Sequence, residues 1–340
     1  MLKISLDKLD KLFDAISASQ ALYIPVDRKD GAAEYKKYES GMKLSSSLNT
    51  VRSAKDFFFP QIENLVDFKM EGKNIEVVDV REESEDFVIF GVRACDARSF
   101  TILDKVFLAD PVDSFYKNRR EHGTVVTMAC TRPAETCFCG TFGIDAAAPE
   151  EGDAACYSDG ENLFIEAHNG KGQKFIDSVS SLLEEGDTSK LESVRSKTRE
   201  ILKKLPLANL TTDNFGGDKL NEYFNSDKWG ELSESCLGCG TCTFVCPTCQ
   251  CYDIKDFDTG HGIKRFRCWD SCMYSDFTKM AHGNPRLTQL ERFRQRFMHK
   301  LVYFPANNNG EFGCVGCGRC LSKCPISMNI VKVMKALEVK

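Results

Sequence analysis

Two stretches of the chain each place four cysteines in the pattern C-x2-C-x2-C-x3-C and follow the fourth with a proline. This is the spacing with which thiolates bind pairs of [4Fe–4S] clusters: three cysteines of a run bind one cubane and the fourth reaches the other. Glycines inside both runs allow the backbone to wrap closely around a cluster. We therefore predict two [4Fe–4S] clusters, bound by a first ladder, Cys236, Cys239, Cys242 and Cys246, and a second ladder, Cys314, Cys317, Cys320 and Cys324.

Structural zinc is the alternative metal for paired C-x2-C motifs. A zinc site needs four ligands for one ion, whereas each ladder supplies a third and a fourth cysteine at the offsets of a crossed pair of cubanes. The pattern therefore favours iron as the only metal, bound through these cysteines. The sequence assigns no catalytic residue.

Four more cysteines lie in the first half of the chain. Cys95 and Cys130 follow the strand-like runs FVIFGV and GTVVTM, and ligands gather beyond the carboxyl ends of strands in an open parallel sheet. Cys137 and Cys139 follow on a loop short enough to fold back over the same crevice, and a helix that opens after Cys95 would direct N–H groups toward an anionic site. These thiolates predict a third [4Fe–4S] cluster. A four-cysteine zinc site and buried, unliganded thiols are the alternatives.

A further group of cysteines follows the first ladder. Its spacing, C-x-C-x16-C-x3-C, matches no ligand rule. Two interpretations are therefore open: these cysteines bind a fourth cluster, or their thiols merely pack against the cubanes. Cys156 has no companion and is interpreted as a plain buried or surface thiol. The candidates for the fourth cluster are Cys249, Cys251, Cys268 and Cys272.

The composition predicts a soluble protein of two domains. With 340 residues, 42% of them hydrophobic, the chain can bury a core in each domain. A net charge of −5 predicts no general binding to nucleic acid, and no run approaches the roughly 20 apolar residues that insert directly into a membrane. The N-terminus carries no signal peptide, so we expect a cytoplasmic protein whose seventeen cysteines bind metal rather than form disulfides.

Local patterns predict an α+β chain. Strand-like and helical runs alternate in the first part, and the polar, glycine-bearing stretch 207–219 marks a boundary. The 67 residues between the ladders, 247–313, exceed the connection used by small two-cluster ferredoxins, and 286–304 has the apolar period of a long helix. We expect an α/β domain over 1–206 with the additional four-cysteine site, and an α-helical ferredoxin-like dicluster domain over 207–340.

Positive charge accumulates in the segment between the ladders. The stretch from Gly260 to Phe304 contains nine lysines and arginines but only three acidic residues. Cations near an anionic cluster raise its reduction potential or dock an acidic partner, and a solvated helix face is the alternative. The arginines in question are Arg265, Arg267, Arg292 and Arg296.

Recognisable motifs for other redox cofactors are missing from the sequence. It contains no G-x-G-x-x-G after a strand, no Walker phosphate loop and no C-x-x-C-H haem attachment. We therefore expect flavin, nicotinamide or haem, and with them the substrate chemistry, on another chain.

The motifs together resemble one family: the iron–sulfur electron-transfer subunits of anaerobic sulfite reductase and the related β subunits of sulfhydrogenases. The resemblance spans the chain from about residue 20 to its end. It rests on GVRACDARS at 91–99, TCFCGTFG at 136–143, CLGCGTCTFVCPTCQCYD at 236–253, RCWDSC at 267–272, HK at 299–300 and CVGCGRCLSKCP at 314–325.

This resemblance implies an electron-transfer component of a cytoplasmic oxidoreductase complex from an anaerobe. The implied partners are a subunit that binds flavin, NAD(P) and a [2Fe–2S] cluster, and a terminal catalytic reductase or hydrogenase subunit. Both ladders match cluster ligands of the family, and the four cysteines at 95, 130, 137 and 139 match cysteines of its first domain. Cys249, Cys251 and Cys272 match cysteines of the sulfite reductase protein, whereas the resemblance identifies no counterpart of Cys268.

The leading hypothesis is an iron–sulfur relay between a flavin-containing subunit and a sulfite reductase-like catalytic subunit. Cubanes suit a relay because each carries one electron at a tunable potential. One alternative is the electron-transfer β subunit of a sulfhydrogenase or of another NAD(P)-linked complex. Two others are a self-contained reductase that binds a small anion at a cluster or at the basic segment, and a zinc-stabilised interaction module.

Overall fold

The structure is a computed structural model that describes residues 1–47 and 49–338. Within these ranges the chain forms two β-sheets flanked by helices. In chain order the strands β1 to β12 are Leu2–Ser5, Ala21–Asp27, Ala33–Lys37, Ile62–Glu71, Asn74–Asp79, Phe87–Arg93, Gly123–Met128, Ala154–Ser158, Asn162–Ala167, Glu184–Glu185, Tyr252–Asp258 and Gly262–Trp269.

The helices are mostly short, and several of them surround the cysteine ladders. A π-helical segment, His299–Tyr303, joins two of them into one continuous helix over 289–307, which confirms the helix predicted over 286–304. No helix in the described ranges is long and apolar enough to cross a membrane. The helices α1 to α12 are Leu9–Ser17, Ala94–Phe107, Ser114–His122, Gly170–Ser178, Ser189–Lys203, Leu220–Phe224, Lys228–Glu234, Thr241–Phe244, Gln289–Met298, Phe304–Asn307, Arg319–Lys323 and Ile330–Glu338.

The larger sheet has eight strands in the order β10-β1-β9-β8-β7-β6-β2-β3. Its centre is parallel, because β6 pairs in parallel with β2 and β7, and β7 with β8. Strand β6 is buried along nearly its whole length, which explains why its sequence is a continuous apolar run rather than an alternating one. The predicted α/β architecture of the first half is confirmed, and the carboxyl ends of β6 and β7 meet at one edge.

The smaller sheet draws strands from both halves of the chain, in the order β11-β12-β4-β5. Strand β12 pairs with β4, so that Phe266 lies opposite Asn64 and Arg267 opposite Glu63. The prediction that the second domain is all α-helical is therefore wrong, because the segment between the ladders also supplies a β-hairpin. Strand β11 is exposed along almost its whole length, and the pairing of β12 with β4 is irregular between Arg265 and Phe266.

The two halves of the chain pack against each other through cysteine-bearing segments. One hydrophobic cluster joins Cys95 and Cys139 of the first half to Phe304, Val315 and Cys317 of the second. A separate core, which includes Trp229, holds α7, α9 and α12 together beneath the ladders. The fold thus brings the candidate ligands to the boundary between its two halves.

Candidate metal centres

The two ladders interleave in space. Cys246, the last cysteine of the first ladder, interacts electrostatically with Cys314, Cys317 and Cys320, and Cys324 interacts with Cys236 of the first ladder. Each group therefore combines three cysteines of one ladder with the fourth of the other, as in paired cubanes that exchange one ligand. We name them centre A, which comprises Cys236, Cys239, Cys242 and Cys324, and centre B, which comprises Cys246, Cys314, Cys317 and Cys320.

Centre B surrounds a cavity between the ladders. Its four cysteines line this cavity together with Arg296 and Lys300. Burial raises the pKa of the Cys314 thiol to about 12 and also raises the pKa values of Cys317 and Cys320. Iron that binds here must therefore displace protons from these thiols.

Glycines with positive φ shape the loop of the second ladder. Gly316 and Gly318 have φ angles of +60° and +76°, and a Cβ atom at either position would collide with the carbonyl oxygen of Phe138 or Thr136. The Phe138 amide donates a hydrogen bond to the Gly316 carbonyl at 2.9 Å. The TCFC loop of the first half therefore lies directly against centre B.

The four cysteines of the first half come together beside this loop, as the sequence predicts. Cys95 lies in the first turn of α2 and Cys130 follows β7, and these elements extend from the same edge of the sheet. Cys139 interacts with Cys130 and Cys137, and Cys95 interacts with Cys139 and with Cys317 of centre B. Burial raises the pKa of Cys137 to about 11 and that of Cys139 to about 12. We name this group centre C, which comprises Cys95, Cys130, Cys137 and Cys139.

Of the four remaining candidates, the structure brings three together. Cys272 interacts electrostatically with Cys251 and Cys249, and Cys249 interacts with Cys246. Cys268 lies opposite Asp253 on β12, and its electrostatic neighbours are charged side chains rather than cysteines. The structure thus separates Cys268 from the other three candidates.

Cys156 is fully buried within the core of the larger sheet. Burial raises its pKa well above the ordinary value for a thiol. It occupies the core like a small apolar side chain, in agreement with its interpretation as a plain buried thiol.

The described residues contain no ready site for a single metal ion. In residues 1–47 and 49–338, no three Cys, His, Asp or Glu side chains converge closely enough to hold a single metal. Zinc in a tetrahedral site would draw four ligand atoms to within about 2.0–2.3 Å of one ion, whereas the thiolates of a cubane bind separate irons at its corners. Centres A, B and C each supply four thiols, which is the donor set that a [4Fe–4S] cluster takes.

Comparisons with known proteins agree with this geometry. A family model described as "4Fe-4S dicluster domain" matches residues 235–328, which include both ladders. The chain is also 33% identical over 339 residues to the sulfhydrogenase 2 subunit beta of Pyrococcus furiosus, a match that covers 98% of this chain and 96% of the relative. The chain belongs to the sulfhydrogenase beta-subunit family. No solved structure matches it.

Membership of the sulfhydrogenase beta-subunit family confirms the resemblance that the sequence motifs carry. The matched dicluster domain supports [4Fe–4S] clusters as the cofactor type of the second half. Centre C lies outside the matched residues, and its assignment depends on the geometry described above.

In this sulfhydrogenase beta-family chain, buried cations accompany the thiols. The Nε of Arg296 donates a hydrogen bond to the Cys242 sulfur at 2.9 Å, and its Nη2 donates to the Cys242 carbonyl at 2.8 Å. Lys300 Nζ donates to Thr248 Oγ1 at 2.7 Å and to the Gly313 carbonyl at 2.8 Å. Since a buried cation is costly without a nearby anion, both side chains fit beside a cluster whose thiolates make it anionic.

Only one of the four arginines singled out from the sequence faces these thiols. Arg265 pairs with exposed Asp256 on the hairpin surface, and Arg267 is buried against Glu63. The guanidinium of Arg292 donates to backbone carbonyls. The interpretation of the basic segment as cluster-tuning therefore applies to Arg296 alone, and the remaining charge serves the fold and the surface.

A buried ion pair that no local sequence pattern predicts joins centres B and C. Arg319, which follows the second ladder's Gly318, forms two parallel hydrogen bonds with the Asp96 carboxylate, at 2.5 and 2.7 Å. Its Nε also donates to the Thr50 carbonyl at 2.9 Å. Asp96 directly follows Cys95 and both charged side chains are almost fully buried, so this pair fixes the two centres against each other.

Proposed function

We propose that this chain is an iron–sulfur electron-transfer subunit that holds one [4Fe–4S] cluster at each of centres A, B and C. The interleaving of the two ladders is the observation that carries the proposal. Cys246 lies with the second ladder and Cys324 with the first, which is the ligand exchange of cubanes built for rapid passage of single electrons. The clusters supply reversible one-electron chemistry, and the protein positions and insulates them.

The contacts between centres support a linear order. Centre C touches centre B through the Cys95–Cys317 interaction, and Arg296 connects centre A, at Cys242, with centre B, at Cys320. Cys239 of centre A is exposed, whereas the cysteines of centres B and C are buried or only partly exposed. We assign centre B as the internal relay and centres A and C as the ends where electrons enter or leave.

We further propose that the chain works in a cytoplasmic complex. One end of the relay would contact a subunit that binds flavin and NAD(P), and the other end would contact a catalytic subunit. The sulfite reductase-like complex is the alternative, but the name of the relative, a sulfhydrogenase subunit, favours a hydrogenase-type catalytic partner. The acceptor and donor chemistry then lies on those partners.

Replacement of the fourth cysteine of each ladder by serine tests the proposal. Cys246→Ser should alter the low-temperature EPR signal of the cluster on Cys314, Cys317 and Cys320, because its fourth thiolate is lost, and Cys324→Ser should alter the signal of the other ladder's cluster. Cys156→Ser is the matched control, since it changes a buried thiol away from all three centres. Changes confined to the cluster of each cysteine's own ladder would contradict the proposal.

A double variant tests centre C. Replacement of Cys137 and Cys139 by Ser should remove about four irons per chain and leave the EPR signals of centres A and B in place. It should also slow electron transfer from the flavin-containing partner. An unchanged iron content would identify these residues as buried thiols and remove the third cluster.

A further inference from the structure

Three cysteines outside centres A, B and C meet beside centre B. Cys249 and Cys251 follow the first ladder, and Cys272 follows β12. The hairpin brings these segments together, because the Asp270 amide donates to the Cys251 carbonyl at 2.9 Å where Tyr252 pairs with Trp269. Cys272, two residues beyond Asp270, is 8% exposed. Cys249 and Cys251 are partly exposed, so the group lies at the edge of the buried interior rather than on the open surface.

A buried lysine lies against this group. Lys55 is 2% exposed, and its Nζ donates to the carbonyls of Cys246 at 3.2 Å and Cys249 at 2.9 Å. The ammonium also lies 3.6 Å from the centre of the Trp269 ring. None of the described carboxylates pairs with it, although a buried ammonium is costly without a neighbouring anion. Thiolates of this group and of Cys246 would supply that negative charge.

A second buried cation, Arg296, lies near Cys249 and carries an unused donor. The Nη1 of Arg296 is buried, and no hydrogen-bond acceptor contacts it in the described residues. The guanidinium interacts with Cys249 as well as with Cys242, Cys320 and Cys246. Two buried cations therefore lie near Cys249, and one of them has a buried donor for which an anionic group would be a partner.

We propose that Cys249, Cys251 and Cys272 bind a fourth [4Fe–4S] cluster through three protein thiolates, with Lys55 as its buried counter-cation. Cys268 is not a ligand, because it lies on the strand position opposite Asp253 and away from the other thiols. One iron of this cluster has no cysteine and takes an exchangeable ligand such as water or a small sulfur anion. The proposal rests on the proposed function, since Cys249 adjoins Cys246 of centre B and electrons would arrive from there.

The experiment compares two serine variants of the full chain, each purified without oxygen. Replacement of both Cys251 and Cys272 should remove about four irons and four sulfides per chain, whereas Cys268→Ser, on the same hairpin, should remove none. Mössbauer spectra of the ⁵⁷Fe-labelled wild-type chain should contain one distinct iron site that shifts when sodium sulfide is added. An unchanged iron count in the double variant, or equal losses in both variants, would overturn the proposal. So would a Cys251–Cys272 disulfide found by peptide mapping of the wild-type chain.

A charge variant keeps the proposal testable if the double variant does not fold. Lys55→Gln should lower the reduction potential of the fourth cluster, because a buried positive charge that stabilises the reduced form is lost. The potential of centre A should stay unchanged, because Lys55 donates no hydrogen bond to its cysteines. A uniform shift of all centres, or none, would overturn the role of Lys55. The Cys246 and Cys324 variants test centres A and B separately, so failure of this inference is distinguishable from failure of the electron-transfer function.

Discussion

The buried pair between Arg319 and Asp96 can be compared directly with an exposed pair of the same geometry. Both Arg319–Asp96 and Arg265–Asp256 form two parallel hydrogen bonds, at 2.5 and 2.7 Å in the first and 2.7 and 2.8 Å in the second. The side chains of the first pair are 3% and 1% exposed, and those of the second are 46% and 48% exposed. The two pairs therefore differ strongly in access to solvent, and Arg319 in addition donates hydrogen bonds to Thr50.

Removal of one partner should reveal this difference. Asp96→Asn leaves the Arg319 guanidinium buried without its carboxylate, which costs about 3 to 5 kcal/mol of unfolding free energy. Asp256→Asn should cost much less, because solvent screens the charge of Arg265. Arg319→Met should cost more than Asp96→Asn, because it leaves the Asp96 carboxylate beside the thiolates of Cys95 and Cys317. The double replacement Asp96→Leu with Arg319→Met leaves no orphaned charge and should be close to neutral.

Anaerobic urea unfolding, followed by circular dichroism and by the visible absorbance of the clusters, measures these differences from the shift of the midpoint at constant slope. Coincident transitions of the two signals would show that both report the same unfolding event. The reasoning is refuted if Asp96→Asn costs no more than Asp256→Asn. It is also refuted if Asp96→Asn costs more than Arg319→Met, since then the cluster thiolates do not contribute the expected negative charge.

Three further predictions follow from the same contacts. Gly318→Ala should lower the free energy of unfolding by about 1 to 3 kcal/mol and loosen centre C, because its Cβ would meet the Thr136 carbonyl. Gly310→Ala is the control: its φ of +83° is similar, but its Cβ would lie in open space, so it should cost less. Equal midpoints of the two variants in thermal unfolding would contradict this. Arg296→Gln should lower the reduction potential of centre A, because both the hydrogen bond to the Cys242 sulfur and the positive charge are lost. Arg296→Lys keeps the charge and should therefore lower the potential less. Identical potentials of the two variants in EPR-monitored titrations would contradict this. In cluster-free protein Cys239 should be the first cysteine to be alkylated. It is exposed, and a hydrogen bond with the Thr241 hydroxyl lowers its pKa, so its thiolate persists to lower pH than that of an ordinary cysteine. Preferential labelling of the buried Cys156 would contradict this.

The ladders and centre C could be predicted because their signals are local. Three cysteines of each ladder share one loop, and Cys95 and Cys130 each follow an apolar run that is recognisable as a buried strand. Parallel neighbours place such strand ends at one edge, which the pairing of β6 with β7 provides. Spacing and strand pattern together were sufficient to group these cysteines.

Contacts between distant segments could not be predicted in this way. Arg319 and Asp96 are 223 residues apart, and nothing in their local sequences indicates that they pair. The hairpin β11–β12 lies within the segment for which the sequence predicts helices, because the charged residues along both strands obscure a strand pattern. Side chains alternate between the two faces of β12, so Cys268 lies on the face opposite Arg267 and Trp269. The C-x16-C spacing alone could not show that this places Cys268 apart from the other thiols.

The iron and acid-labile sulfide content of the anaerobically purified full chain tests the central claim most directly. Clusters at centres A, B and C predict about twelve of each per chain, and the fourth cluster raises both to about sixteen. A content near eight would leave only the ladder clusters and contradict centre C. Zinc in place of iron would contradict the electron-transfer function itself.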